Sequence, residues 1–216
     1  MKKILYSVAL AACCMGTMTS CSDFLDASNK SNVTDKQTFA TKEGLNNLVN
    51  DAYQHLQNVY AAPLFTSCFS AGTDMYADAR NKMNEALNTY ETLTPENTDI
   101  KNLYTYLYSG IRAANSVSYY AQTAQIDDKT KGQLVGEARV LAAYEYYLLV
   151  NNFGGVPIMK DFLTTADTGY PKSSAADVYA YIISELEDVI SKNVLQASTA
   201  TKGGGRISQE TAKAIL

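Results

Sequence analysis

Helical periodicity constrains this chain more than any other feature of its sequence. From about Glu43, apolar residues recur at i, i+3, i+4 and i+7, which is the spacing of one face of an amphipathic helix. The residues of this face are Leu45, Leu48, Val49, Ala52, Tyr53, Leu56, Val59 and Tyr60. Such a stripe must be buried against another element, so we predict a helix that packs against further helices.

Four further segments show the same periodicity. They cover residues 99–123 and 130–152, a stretch that follows Ser174, and a stretch that begins at Ser208. The third helix should stop at residues 153–157, Phe-Gly-Gly-Val-Pro, because two glycines and a proline cannot continue it. Each predicted helix therefore has its own apolar face.

The fold class follows from the length of these segments and from the lack of a strong strand pattern. Long amphipathic helices predict an all-α domain, and stacked antiparallel pairs with small and aromatic residues suggest helical repeats of the tetratricopeptide kind. No clean repeat period is visible, so the repeats would be degenerate. The fifth helix begins at Ser208 and is cut at Leu216. We therefore expect this chain to be the N-terminal portion of a longer protein, with an incomplete domain at its C-terminus.

The first twenty residues have the three parts of a secretory signal. Lys2 and Lys3 precede an uncharged, largely apolar run over residues 4–18, and small residues then lead to Cys21. The exit resembles a lipobox, so we expect cleavage before Cys21 and lipidation of its thiol. The predicted parts are a signal peptide over 1–20, a lipidated tether over 21–42 and a helical domain over 43–216.

Two other interpretations of this N-terminus stay open. A membrane-spanning helix needs about 20 apolar residues, and this run is shorter and is followed by Asp23 and Asp26. Ordinary cleavage would leave Cys21 unmodified. The charged start, the length of the run and the position of the cysteine favour the lipid anchor.

Cysteine content and charge exclude further classes of protein and of binding partner. Cys13 and Cys14 leave with the signal and Cys21 is lipidated, so Cys68 remains without a disulfide partner and is expected to be a buried small apolar residue. The chain has 18 basic and 22 acidic residues. An acidic chain without a basic run does not suit nucleic acid as a partner or electrostatic docking on anionic lipid.

Three stretches together resemble the SusD/RagB family of outer-membrane nutrient-binding lipoproteins. They are CSDFLD at residues 21–26, GEARVLAAYEYYLLV at 136–150 followed by FGGVPI at 153–158, and GRIS at 205–208 followed by Ala-Lys-Ala at 212–214. The second stretch is similar to the most specific motif of the family. This chain departs from the family at Ala142, where many members carry arginine.

The resemblance implies a function that composition and periodicity alone do not indicate. A SusD-like protein would be held at the cell outer membrane by lipid on Cys21, facing outward. It would sit as a lid on a SusC-like TonB-dependent transporter and deliver captured glycan or oligosaccharide to it. The alternative, from a different class, is a helical-repeat lipoprotein that binds peptides or a protein partner on a concave surface.

A polar and aromatic stretch between the first two predicted helices is the candidate ligand site. The candidate binding residues are Asp74, Tyr76, Asp78, Arg80, Asn81 and, farther along, Tyr90. Sugar recognition needs bidentate polar groups for hydroxyls and an aromatic face for the C–H side of the ring. The corresponding region often contributes to ligand binding in the family. The alternative is a solvated loop or short helix in which Asp74 and Asp78 only repel each other.

Catalysis is not expected, and no cofactor is indicated. Asp74 and Asp78 on adjacent turns of one solvated segment lack the geometry of a glycosidase pair, which needs about 5–9.5 Å across a cleft. A single histidine does not suggest a metal cluster. The triple glycine at 203–205 has no lysine-serine partner and looks like a hinge rather than a phosphate loop.

The charged residues of the motif helix have a structural interpretation. Glu137 and Arg139 lie two residues apart and point to different sides of a helix, so each should pair with a neighbouring helix. Most helical tyrosines should be core or interface residues with their hydroxyls at the rim. They are Tyr104, Tyr106, Tyr108, Tyr119, Tyr120, Tyr144, Tyr146 and Tyr147.

Overall fold

The computed structural model describes residues 35–61, 63–76, 85–163, 169–198 and 205–216. The predicted signal peptide, Cys21 and most of the predicted tether lie outside these residues. The described part of the chain is built from helices and contains no strand. The prediction of an all-α fold is confirmed.

The elements follow one another in the order that the periodicity predicts. The helices are α1 (Asp35–Phe39), α2 (Lys42–Tyr60), α3 (Glu85–Thr89), α4 (Thr98–Ala121), α5 (Asp128–Phe153), α6 (Ala175–Lys192) and α7 (Gln209–Ile215), and Thr66–Ser70 forms a π-helical turn. The five predicted helices correspond to α2, α4, α5, α6 and α7. The short helices α1 and α3 and the π turn were not predicted, and α1 lies within the predicted tether.

The long helices pack as consecutive neighbours around one apolar core. Helix α4 contacts both α2 and α5, and α5 also contacts α6. The short connection between α4 and α5, residues 122–127, makes these two helices antiparallel. Leu45, Leu107, Leu141 and Leu186 are fully or almost fully buried. Burial of each such side chain stabilises the fold by about 1.5–3 kcal/mol, so the predicted apolar faces hold the helices together.

Polar side chains define where the helices begin. Asn97 accepts hydrogen bonds from the amides of the first turn of α4, and Asp127 caps α5 in the same way. At α6 the Ser174 side chain accepts from the Asp177 amide while the Asp177 side chain accepts from the Ser174 amide. The predicted capping box is therefore present.

The Gly-Gly-Val-Pro turn ends α5 and returns the chain across it. Gly154 has a φ of 69°, which is the left-handed region that favours glycine. A Cβ at Gly155 would overlap the carbonyl oxygen of Ser173. The segment after the turn is held by the Tyr108 hydroxyl, which donates to the Pro157 carbonyl at 2.7 Å. The predicted helix stop is confirmed.

The charged residues of α5 pair away from each other, as predicted. Arg139 Nε lies 2.7 Å from Glu185 Oε2 on α6, and the Arg139 guanidinium also binds Asp188. Glu137 pairs with Arg206, at 2.7 Å between Oε2 and Nε. Arg206 belongs to the segment just before α7 rather than to a helix. Opposite sides of α5 are thereby tied to two different neighbours.

Candidate functional site

Five aromatic side chains gather on one surface where α2, the π turn and α5 meet. We name them the aromatic surface: Tyr60, Phe65, Phe69, Tyr144 and Tyr147. The Tyr60 and Phe65 rings are 5.4 Å apart between centroids, and Phe65 and Phe69 are 5.3 Å apart. Tyr144 and Tyr147 stack at 6.0 Å. A direct hydrogen bond between the Tyr60 and Tyr144 hydroxyls joins the two groups.

Local structure explains why these rings come together. Tyr60 is the last residue of α2, Phe65 directly precedes the π turn and Phe69 lies within it, so all three rings lie near the end of α2. Tyr144 and Tyr147 are three residues apart on α5, so they share a helix face. The surface is thus assembled from three elements that the α2–α5 packing brings into register.

The aromatic surface is open to solvent. Tyr60 and Tyr147 are each 43% exposed and Phe65 is 37% exposed. Exposed aromatic rings that touch one another form an apolar patch, and such patches on soluble surfaces usually bind something. Burial of its ring and the bond to Tyr144 raise the pKa of Tyr60, so its hydroxyl stays neutral and able to hydrogen-bond. The surface therefore offers flat apolar faces with polar tips.

The predicted ligand loop continues directly from the aromatic surface. Ala71 follows the π turn, and Gly72 has a φ of 75°. A Cβ at Gly72 would overlap the Tyr90 hydroxyl, and that hydroxyl donates to the Gly72 carbonyl at 3.4 Å. The Gly72 amide in turn donates to Asn88 Oδ1 at 3.4 Å. The fold thus brings Tyr90 against the start of the stretch that contains Asp74.

The candidate residues occupy different environments. Asp74 is exposed, Tyr76 is half-buried, and Tyr90 is exposed with a φ of 63°. A positive φ in a non-glycine residue is uncommon and shows that the surrounding contacts hold Tyr90 in place. Asp78, Arg80 and Asn81 lie outside the described residues. Their role in ligand binding stays a prediction.

The tyrosine prediction holds for some helical positions and not for others. Tyr146 is fully buried, and its hydroxyl accepts from the Met159 amide at 2.7 Å. Tyr147, which was expected at the core or an interface, is instead exposed because it lies on the outer face of α5. The spacing of Tyr144 and Tyr147 indicates from the sequence alone that the two rings share a helix face. Their proximity to Tyr60 and Phe65 depends on helix packing and could not be seen in the sequence.

The thiol and the histidine do not form a nucleophilic pair. Cys68 is half-buried within the π turn rather than fully buried as predicted, because this turn lies at the edge of the core. Burial, with a further effect of Asp99, raises its pKa to about 11, so the thiol stays protonated near neutral pH. His55 faces Asp51 at 3.8 Å on its own helix.

Two further properties concern the described residues only. No group of three or more potential metal ligands is found among them. Nor does any described helix combine the length and apolar character required to cross a bilayer.

An apolar groove lies between α4 and the chain that follows α5. It has a volume of about 480 Å³ and is lined by Tyr104, Tyr108, Pro157, Met159 and Tyr170, among others. Tyr104 packs against Tyr108 at 4.7 Å and edge-on against Phe153 at 5.2 Å. The lining also includes Thr105, Ser109 and Arg112, and the Tyr108 hydroxyl is bound to the Pro157 carbonyl.

Comparison with known proteins identifies the family of this chain. A SusD-like family profile, described as "Starch-binding associating with outer membrane", matches residues 23–216. A SusD-like protein P38 from Formosa agariphila is 28% identical over 190 residues, which cover 86% of this chain and 36% of that protein. The chain belongs to the SusD-like family, and the recognition made from its three motif stretches is confirmed.

Solved structures agree with this assignment. The surface glycan-binding protein A from Bacteroides uniformis aligns with a TM-score of 0.68 at 25% identity, over 80% of this chain and 40% of that protein. A structure described as a laminarin-binding SusD-like protein gives a TM-score of 0.66 at 21% identity, over 80% and 38%. A SusD superfamily protein from Bacteroides thetaiotaomicron gives 0.67 at 20%, over 83% and 43%. The tetratricopeptide-like helical fold is shared, and this chain spans less than half the length of these relatives.

Proposed function

We propose that this member of the SusD-like family is the N-terminal part of a lipid-anchored protein that captures glycans at the cell outer membrane. The observation that carries the proposal is the aromatic surface, in which exposed rings from α2, the π turn and α5 touch one another beside a polar loop. Glycans present alternating C–H faces and hydroxyls, and this combination of rings and polar groups matches them.

The chemistry of the neighbouring loop supports this choice of ligand. Asp74 is an exposed carboxylate, and Asn88 and Tyr90 are linked to Gly72 at the start of the same loop. Carboxylate, amide and phenol groups bind vicinal hydroxyls through paired hydrogen bonds. Two structural neighbours, named as a surface glycan-binding protein and a laminarin-binding protein, favour the same ligand class.

The protein is proposed to bind glycans without cleaving them. Glycoside hydrolysis uses two carboxylates about 5–9.5 Å apart, one of which has a raised pKa. Glu145 is the described carboxyl whose pKa is raised furthest, but it is fully buried in the helical core and has no access to a glycan. Cys68 stays protonated. Release of reducing sugar from a bound glycan would contradict this part of the proposal.

The membrane anchor and the transporter complete the proposal. Lipid on Cys21 would hold the protein at the outer membrane, facing outward, and a SusC-like TonB-dependent transporter would receive the captured glycan. Two or more acyl chains are needed for stable anchoring. A Cys21→Ala precursor should still be exported but should fractionate as a soluble protein. Membrane retention of that variant would refute the anchor.

The apolar groove beside Tyr104 favours a second candidate function. A groove of about 480 Å³ lined by tyrosines, Pro157 and Met159 suits an apolar peptide segment better than a sugar. The alternative is therefore a helical-repeat lipoprotein that binds a peptide or a protein partner.

One binding experiment separates the two candidates. The full-length mature protein is titrated with starch, laminarin and other polysaccharides and, in parallel, with a panel of peptides. The proposal predicts saturable binding to at least one glycan. Binding to peptides alone, with no glycan bound at any concentration tested, would transfer the function to the groove. A pull-down with a SusC-like TonB-dependent transporter tests the proposed partner separately.

A further inference from the structure

A cavity between α4, α5 and α6 shares no lining residue with the aromatic surface or the apolar groove. It has a volume of about 340 Å³. Its inner wall is formed by Ala114 on α4 and by Ala138 and Ala142 on α5, and all three are buried. Since alanine has no atoms beyond Cβ, three facing alanines leave a space between two helices that otherwise pack closely. The volume is at the small end of the range for ligand pockets, about 300–1,000 Å³, and suits a single sugar ring.

The polar groups around this cavity suit a hydroxylated ligand. Asn115 Nδ2 donates to the Met159 carbonyl at 2.8 Å, which fixes the amide and leaves its Oδ1 as an acceptor. Ser118 and Ser184 add hydroxyls from α4 and α6. A ligand with several hydroxyls finds both donors and acceptors on these walls.

The charges of the cavity are unequal. Arg139 is bound by Glu185 and Asp188, and Lys192 Nζ lies 2.7 Å from Asp188, so two cations and two carboxylates balance each other. Lys160 also lines the cavity, and its Nζ lies 5.5 Å from the centroid of the Tyr181 ring. Within the described part of the chain, no carboxylate lies within ion-pair distance of Lys160. Lys160 thus carries an exposed positive charge at the cavity without a direct ion pair, and Asp161 is its neighbour in the chain.

We propose that the cavity beside Ala142 is a binding site for one acidic sugar unit of the uronic acid type. Its ring would occupy the space left by the three alanines, its hydroxyls would bind Asn115 and the two serines, and its carboxylate would pair with Lys160. The chemistry differs from that of the aromatic surface, which offers ring faces and no cation among its five residues. This proposal does not depend on glycan binding at the aromatic surface.

The test measures binding of free galacturonate and glucuronate, with galactose and glucose as neutral partners of the same size. Saturation-transfer NMR and calorimetry on the full-length mature protein report the binding. We expect a uronate to bind, and to bind at least tenfold more tightly than its neutral counterpart. Absence of uronate binding at tens of millimolar, or equal binding of neutral and acidic sugars, overturns the proposal.

Two variants assign the binding to this cavity. Ala142→Met fills the space with a flexible apolar side chain and should abolish uronate binding, and Lys160→Gln should weaken it at least tenfold. Lys129→Gln, an exposed lysine on the first turn of α5, is the matched control and should leave it unchanged. Uronate binding that persists in Ala142→Met would place the ligand elsewhere and overturn the assignment.

The Ala142→Met variant also distinguishes binding in the cavity from binding at the aromatic surface. Ala142→Met should retain its thermal unfolding midpoint within a few degrees, because the added atoms enter an existing space. It should also retain binding of longer glycans at the aromatic surface. Failure of all glycan binding in the wild-type protein, with uronate binding intact, would contradict the proposed function and leave the cavity site standing.

Discussion

The carboxyl group of Glu145 on α5 lies directly against Gly110 on α4. A Cβ at position 110 would overlap this carboxyl group, so the absence of a side chain at Gly110 creates the space that Glu145 fills. Glu145 is fully buried, and neither of its carboxyl oxygens has a hydrogen-bond partner among the described residues. An unpaired carboxylate in such a place is costly, and the group remains protonated instead.

This arrangement predicts a pH-dependent stability. Burial raises the pKa of Glu145 well above its unfolded value of 4.5. Its contribution is therefore fully present below pH 4.5 and is lost as the pH rises toward the folded pKa, at up to about 1.4 kcal/mol per pH unit. Glu145→Gln should match the wild type at pH 4 and exceed its free energy of unfolding at pH 7. Urea unfolding at both pH values, followed by circular dichroism, measures the difference.

The control for this prediction is Glu187→Gln on the exposed face of α6. It should change the free energy of unfolding by less than about 0.5 kcal/mol at either pH. Equal stability of Glu145→Gln and the wild type at pH 4 and at pH 7 would show that Glu145 is ionised or paired in the folded protein.

The ion pair of Glu137 and Arg206 should be essential for the packing of the segment before α7. Glu137 is fully buried, and Arg206 also lies over the Tyr53 ring at 5.4 Å. Removing Arg206 leaves the buried Glu137 carboxylate with only its hydrogen bonds from Tyr53 and Gln133, and breaking a buried ion pair costs about 3–5 kcal/mol. We expect Arg206→Met to lose about this much stability in urea unfolding.

The double variant provides the matched comparison. Glu137→Met together with Arg206→Met removes both charges, and apolar replacements of a buried pair are often close to neutral. The double variant should therefore be clearly more stable than Arg206→Met alone. Equal loss in the single and double variants would mean that packing, rather than the charge pair, holds this segment.

The capping box of α6 should make a smaller, local contribution. The Ser174 side chain accepts from the Asp177 amide at 3.1 Å. Ser174→Ala removes this bond and should lower the free energy of unfolding by about 1 kcal/mol. Ser191→Ala, in the last turn of the same helix, is the control, since its hydroxyl donates only to a carbonyl three residues earlier. If both changes cost the same, the cap is not the source of the effect.

Local patterns in the sequence predict most of the helical frame and little of the candidate site. Periodicity identifies α2, and Ser174 and Gly154 mark helix boundaries because capping and positive φ are local properties. The Tyr60–Tyr144 contact joins residues 84 positions apart, and Arg206 reaches Asn46 across 160. Such contacts depend on how helices pack, and a single sequence does not encode them in any local spacing.

The contrast between local patterns and long-range contacts also applies to the predicted ligand loop. The mixture of polar and aromatic residues from Gly72 onward is visible in the sequence, and the fold does bring Tyr90 to the beginning of this stretch. The rings of the aromatic surface were not predicted from the sequence as ligand-binding residues, because each ring belongs to a helix or turn whose pattern indicates a packing role. Only the meeting of three elements makes them a surface.

The central claim is that the aromatic surface binds glycan, and one measurement tests it most directly. The affinity of the full-length mature protein for the tightest-binding oligosaccharide of the panel is measured by calorimetry for the wild type, Phe65→Ala and Tyr147→Ala. Tyr104→Ala, which removes an exposed ring of the apolar groove, is the matched control. Loss of one packed ring is worth about 1.5 kcal/mol, so Phe65→Ala and Tyr147→Ala should each weaken binding about tenfold, with Tyr104→Ala unchanged. Unaltered affinity in both surface variants, or a loss confined to Tyr104→Ala, would contradict the claim.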